Sequence, residues 1–326
     1  MKKEIIYIGV DVSKSTLDIC VLEKGTVSHY GLANTKKGIT AFFKGFERDR
    51  IRVCCENTGK YSWLLLETLA QLSITVYQVN GLHLKRSMGL VRGKDDVVDA
   101  HRIAVFLSKN HEELSPYQER DREQLRIKVL LGKRDLLVKQ RAQHRAIEKE
   151  GEILSLMDMS MGGVSSRDII DYLTERIRDI EKLITKLIRS SVALRRQNEI
   201  MTSIPGVGTI VAWHVLVKTN GFRTITEARK FACYSGVAPF HHRSGTSVYT
   251  KPKVSHYADK SMKKLLHMAA ITAVHRENDL RDYYLRKLEE GKNKMLVLNA
   301  VRNKIIQRIF AMVKSGKKYQ YNLHLT

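Results

Sequence analysis

Apolar residues near the N-terminus come in short β-rich runs. I-I-Y-I-G-V-D and L-D-I-C-V-L lie between Glu4 and Leu22, and T-V-S-H-Y-G-L follows the turn at Lys24-Gly25. This pattern predicts an antiparallel meander. A helical stretch (Thr35 to Phe46), a strand (Arg52 to Glu56), a second helix (Tyr61 to Leu72) and a short strand (Ile74 to Val79) come next. After Asn80 the chain reads as mostly helical. From Asp168 to Leu194 apolar residues recur at Ile169, Leu173, Ile177, Ile180, Ile184 and Leu187, a spacing of threes and fours that predicts a coiled-coil seam. Arg176, Arg178, Lys182 and Lys186 flank it, so the seam is expected to meet a partner helix in a homodimer or larger assembly, the alternative being a helix packed on its own domain. Gly162-Gly163-Val164-Ser165-Ser166 breaks the helical pattern, with Ser165 or Ser166 as the cap of the helix that follows.

Strands alternating with helices imply a mixed sheet flanked by helices. Three hairpin strands followed by β-α-β is the order of the ribonuclease H-like fold, in which acidic residues gather at the centre of the sheet. The expected organisation is an α/β unit over 1–115, a helical region over 116–200 and a basic, mainly helical unit over 201–326.

Charge sharpens this picture. The 326 residues hold 57 Lys and Arg against 34 Asp and Glu, a net charge of +23, and residues 203–326 alone hold 22 against 7, or +15. Such an excess on one unit attracts phosphate backbones through counterion release. The longest apolar run, Thr209 to Val217, is interrupted by His214 and is far short of the ~20 residues that span a bilayer. No secretory signal precedes the first strand. The expected setting is the cytoplasm, with no membrane partner. Four cysteines, Cys20, Cys54, Cys55 and Cys233, form no C-x-x-C pair, which suits reduced, packed thiols better than disulfides or a zinc knuckle.

Two constellations carry candidate chemistry. Asp11 and Glu56 each close an apolar strand, where a carboxylate suffers desolvation unless a cation offsets it. Asp96 and Asp99, in K-D-D-V-V-D-A, are three apart at a helix start and share one face, while Asp95 reads as the cap. Four such oxygen donors suit two Mg²⁺ ions about 3.5–4 Å apart, with Mn²⁺ as a substitute, steadying the attacking and leaving oxygens of a phosphodiester. The second constellation is P-F-H-H-R-S-G-T-S, where Ser244 beside Gly245 leaves room for a phosphate and His241, His242 and Arg243 offset its charge. From spacing alone Ser244-Gly245 equally marks a turn. Upstream, I-P-G-V-G offers the backbone N–H groups around Gly206 and Gly208 to a phosphate, or serves only as a tight turn between helices.

Taken together, Y-I-G-V-D-V-S-K, E-N-T-G-K-Y, K-D-D-V-V-D-A, I-P-G-V-G and F-A-C-Y-S-G-V-A-P followed by R-S-G-T-S resemble the DEDD transposases of the insertion-sequence IS-one-ten family, in order and over nearly the whole chain. The resemblance implies a RuvC-like (ribonuclease H-like) N-terminal domain, a long helical coiled-coil insert for oligomerisation and a mainly α-helical C-terminal transposase domain. By motif, Asp11, Glu56, Asp96 and Asp99 become the metal-binding tetrad and Ser244 the nucleophile that attacks the scissile phosphate. Gly206, Gly208, His241, His242, Arg243, Lys251 and Lys253 become nucleic-acid contacts. It further implies an RNA-guided recombinase acting at the bacterial nucleoid: a noncoding bridge RNA pairs with target and donor double-stranded DNA, and dimers assemble into a tetramer. Two departures stand out. Asp95 occupies a position where a hydroxyl residue is common, and V-Y-T-K-P-K-V-S-H-Y-A-D-K lacks the glycine often found before the following basic helix. The competing readings are a RuvC-type junction nuclease in which water attacks, a non-catalytic nucleic-acid-binding scaffold, and an actin-like kinase suggested by G-V-D-V-S-K alone.

Overall fold

A computed structural model describes residues 4–87, 95–119, 121–156, 165–244 and 248–321, the side chains of 154, 155 and 241–253 excepted. Lys94 and the Gly162-Gly163-Val164 break lie outside the described residues. The chain forms two compact units, residues 1–119 and 120–326.

The first unit is built on five strands, β1 (Ile6–Val12), β2 (Thr16–Glu23), β3 (Thr26–Ala33), β4 (Ile51–Glu56) and β5 (Val76–Val79), in the order β3-β2-β1-β4-β5. β1, β2 and β3 make the expected antiparallel meander, while β4 and β5 run parallel to β1. Helices α1 (Lys36–Phe43) and α2 (Trp63–Gln71) cover one face, and α3 (Gly81–Ser87) and α4 (Asp96–Asn110) lie on the other. The pleat sorts the side chains. Ile8, Val10, Leu17, Ile19, Val53 and Cys55 face α1 and α2 in one apolar core, and Tyr7, Gly9, Cys20, Cys54 and Tyr77 face α4.

Gly9 sets how closely α4 can approach. A Cβ at Gly9 would lie 2.2 Å from the Ala100 carbonyl oxygen and 2.3 Å from the Ala104 nitrogen, so only glycine lets the helix backbone rest on β1. Ala100 and Ala104 are the small residues that complete this seat.

The second unit begins with two long helices, α5 (Arg122–Ser155) and α6 (Arg167–Ser190). They run antiparallel, tied by Arg134 Nε to Glu181 at 2.7 Å and by Arg141 to the Thr174 hydroxyl at 3.2 Å. Ser165 Oγ accepts from Arg167 N–H, and the Glu148 carboxylate of α5 accepts from Ser166 N–H at 2.7 Å, so α6 is capped from both sides of the break. The α6 seam expected to seek a partner molecule packs inside the chain: Leu173, Ile177, Ile184 and Ile188 are buried, and α5 is the helix packed against α6. The seam therefore gives no ground for a second copy, because period alone does not say whose helix fills it.

Nor do the long helices stand apart from the rest of the unit. Ile127, Leu131, Ile184 and Ile188 join one core with α7 (Val192–Thr202), α8 (Thr209–Thr219), α9 (Ala228–Tyr234), α10 (Lys260–Val274), α11 (Asp279–Glu289) and α12 (Lys294–Ser315). Helix α8 is buried over Val211–Val217, as expected of a helix apolar on every side. Its buried His214 is within 3.6 Å of Asp135 on α5. Burial alone would raise the Asp135 carboxyl, but His214 and Arg134 bring it below its ordinary range. A two-stranded hairpin, β6 (Pro239–Ser244) and β7 (Val248–Val254), projects between α9 and α10. No helix of the described residues is long and apolar enough to cross a membrane.

A Gly9→Ala substitution should cost about 2–3 kcal/mol by forcing α4 off the sheet. Thermal unfolding followed by circular dichroism measures this, and an unchanged Tm would show that the seat yields without strain.

Candidate functional site: an acidic cluster and a serine hairpin

Asp11, the penultimate residue of β1, and Glu56, the last residue of β4, lie at the same end of adjacent parallel strands, just past the pairing of Val10 with Cys55. Both are on the face that α4 covers. The α4 N-terminus carries Asp96 and Asp99 in its first turn, and Asp95 caps it by accepting from Val97 N–H at 3.1 Å. The structure brings the four carboxylates together. Burial pushes the Asp11 carboxyl up from its ordinary value, Asp96 raises it further, and Asp99 and Glu56 add to this against one opposing hydrogen bond from Val12 N–H. Asp99 also accepts from Arg102 at 2.8 Å, a pair formed within the helix that steadies one of its oxygens.

A fifth carboxylate belongs to this neighbourhood. Asp18 is the cross-strand partner of Asp11, and burial together with Asp96 and Asp95 raises its carboxyl as well. The signal was present in the sequence: counting back across the turn between Val12 and Leu17 sets Asp18 opposite Asp11.

A Cβ at Gly81 would fall 2.0 Å from Glu56 Oε1, so the glycine at the start of α3 makes room for that carboxylate. Several half-buried carboxylates, with one arginine paired to one of them, form an excess of negative charge that is costly unless a cation enters. The donors are all oxygen, which suits hard divalent ions such as Mg²⁺ or Mn²⁺. By this test the residues fit the metal that the sequence implied.

The second constellation is carried on the β6–β7 hairpin. Ser244 is the last residue of β6 and pairs with Val248, and a bulge separates Phe240 from His242. Gly245, Thr246 and Ser247 lie outside the described residues, as do the side chains of His241, His242, Arg243, Ser244, Lys251 and Lys253. What is described is how the chain on either side of the hairpin is held. Asp259 caps α10 by accepting from Met262 N–H at 2.9 Å, pairs with Lys218 of α8 at 2.7 Å, and accepts from the Tyr234 hydroxyl of α9 at 2.9 Å. Burial would raise this carboxyl, but Lys218 and the Met262 and Ser261 donors hold it well below the usual range. Asn299 of α12 adds a bond to the Val237 carbonyl at 3.0 Å, just before β6.

The I-P-G-V-G segment joins α7 to α8. Gly206 adopts φ +81°, and a Cβ there would meet the Ala269 carbonyl oxygen of α10 at 2.1 Å, so packing accounts for this glycine. Gly208, the N-cap of α8, has open space on its Cβ side.

Comparison with known proteins accords with this geometry. A family model for transposases of the IS110 DEDD type matches residues 8–150, and one described as transposase IS116/IS110/IS902 family matches residues 198–285. The chain is 25% identical over 98% of both lengths to a pilin gene-inverting protein of Moraxella bovis. It is also 28% identical, over 45% of this chain and 36% of the other, to an uncharacterized insertion element IS116 protein of Streptomyces clavuligerus. Among solved structures, Holliday-junction-bound RuvC from T. thermophilus aligns over 35% of this chain and 100% of its own at 11% identity, with a TM-score of 0.27. The chain belongs to the IS110 family of transposases, enzymes of DNA recombination.

The electrostatics of Asp11 give a signed expectation. Between the ordinary value of 3.8 and its raised one, the metal-free folded chain holds at Asp11 a proton the unfolded chain has released, so stability falls as pH rises through that window. Asp11→Asn should therefore raise the Tm of metal-free protein at neutral pH by up to a few degrees while abolishing DNA strand breakage. Mg²⁺ should raise the Tm of the native chain and leave that of the variant unmoved; a variant less stable than native would contradict the crowding of carboxylates.

Proposed function

We propose that this transposase is an RNA-guided DNA recombinase in which the acidic cluster of a RuvC-like, ribonuclease H-like unit and the Ser244 hydroxyl act on the same phosphodiester. The observation that carries this reading is the convergence of Asp11, Glu56, Asp96 and Asp99 at the ends of two parallel strands. The strand order, an antiparallel meander followed by parallel β4 and β5, supports the RuvC-like assignment.

In this mechanism Asp11, Glu56, Asp96 and Asp99 would hold the divalent ions beside the scissile phosphate. When bound, these ions offset charge on the phosphoryl oxygens and on the departing oxygen. Ser244 Oγ forms a bond to phosphorus as the bond to one deoxyribose oxygen breaks, and the serine proton goes to that departing oxygen, which leaves as a hydroxyl. A deoxyribose hydroxyl from the exchanged strand reverses the step, re-forming DNA and restoring Ser244. One phosphoester replaces another throughout, so no ATP is consumed. The segments on either side of the hairpin that bears Ser244 are held through Asp259 and Asn299, which supports a fixed base for it.

Base pairing by a noncoding bridge RNA to target and donor DNA supplies sequence choice, and the protein binds backbone. The net +15 of residues 203–326 supports polyanion binding on that unit, with Gly208, His241, His242, Arg243, Lys251 and Lys253 as contacts and Gly206 shaping the turn beside them. We further propose a homodimer assembling to a tetramer, with Ser244 of one protomer serving the carboxylates of another. Exposed Leu136, Ile147, Ile153, Tyr172 and Leu183 on α5 and α6 support a second, outward-facing contact along the helical hairpin.

Ser244→Ala should abolish recombination and leave no protein-linked DNA on a denaturing gel, while DNA affinity stays within about threefold of native. Robust cleavage by that variant would favour a junction nuclease in which water attacks.

A further inference from the structure

Away from the carboxylates, three ligating side chains from three elements meet on the α4 side of the sheet. Cys20 of β2 and His29 of β3 are cross-strand partners in register, so both side chains point to one face. His101 of α4 completes the group. Cys20 Sγ and one ring nitrogen of each histidine lie within 4.8 Å of one another, and Sγ is 3.5 Å from His101 Nδ1. With Zn–S of about 2.3 Å and Zn–N of about 2.0–2.1 Å, sulfur and nitrogen on a tetrahedral zinc ion stand about 3.6 Å apart, so this pair already has ligand spacing. Cys20 is buried, His101 intermediate and His29 exposed, which gives an ion an entry path from solvent and leaves a side for water.

We propose that Cys20, His29 and His101 bind one zinc ion per chain, with water as the fourth ligand, and that the ion pins α4 to the β2–β3 hairpin. On loading, the Cys20 proton leaves to solvent and the thiolate becomes the ligand. Thiolate and imidazole are softer donors than the four carboxylates, so the two sites sort zinc from Mg²⁺ by chemistry. His101 follows Asp99 by two residues on the same helix. The pin therefore fixes the turn that presents Asp96 and Asp99 without touching the reacting phosphate. The proposal stands independently of RNA guidance and of the role of Ser244.

The test uses untagged full-length protein, stripped with a chelator and titrated with Zn²⁺ against a chromophoric competitor, with Co²⁺ as a spectroscopic substitute. Native protein should take up one equivalent of zinc per chain, and its Co²⁺ form should show a thiolate-to-cobalt charge-transfer band together with strong tetrahedral ligand-field bands. Cys20→Ser should lose the charge-transfer band. His29→Ala removes an exposed side chain and keeps the strand pairing, as circular dichroism can verify; it should weaken zinc binding by more than about a hundredfold, beyond the ~10–100-fold typical of outer-shell changes. The double variant Asp11→Asn, Asp96→Asn should take up zinc like the native chain. The proposal is overturned if native protein binds no stoichiometric zinc, if Cys20→Ser and His29→Ala both keep native affinity, or if only the aspartate variant loses it. In the first of these outcomes the cluster is a thiol–imidazole hydrogen bond and nothing more.

Discussion

The first unit depends on backbone-to-backbone contact between α4 and β1. Because position 9 has no side chain, the helix settles onto the strand at Ala100 and Ala104, and everything else on that face takes its position from this seat. The N-terminal turn of α4 then brings Asp96 and Asp99 toward the strand ends that carry Asp11 and Glu56. One turn further along, the same helix sets His101 over Cys20. A single close approach thus organises a cluster of hard oxygen donors and a separate group of sulfur and nitrogen donors, side by side and chemically distinct.

Much of the first unit was legible in the sequence because its signals are local. The meander followed by β-α-β shows in the alternation of β-rich runs with helical stretches, and α4 starts where Asp95 offers a cap. The carboxylates were legible because they sit where apolar runs stop. Asp18 was missed, although strand register places it opposite Asp11, because a lone acid within a strand reads as a solvated position until the pairing is counted. Cys20, His29 and His101 were beyond any spacing argument: the cysteine and His101 are 81 residues apart, and only the tertiary seat of α4 joins them.

The second unit shows the limit of periodicity. The seam of α6 is real, yet its spacing is satisfied by α5 of the same chain, whereas the sequence invited a partner molecule. The glycines of I-P-G-V-G illustrate two outcomes for one motif. Gly206 is required by its positive φ and by the carbonyl of Ala269, while Gly208 opens onto free space at the start of α8. Composition told most about the last stretch of the chain, where surplus lysine and arginine surround a helix, α8, that is itself almost wholly apolar.

The roots of α5 and α6 are part of the core that also holds α8, α10 and α12. The arm is therefore not an accessory that can be trimmed at residue 200 to leave a free-standing catalytic remnant. Cutting there would strip Ile127, Leu131, Ile184 and Ile188 from the interior, bare the underside of α8 and leave His214 without its acidic neighbour Asp135. The base of the arm is committed to the fold that supports the serine hairpin.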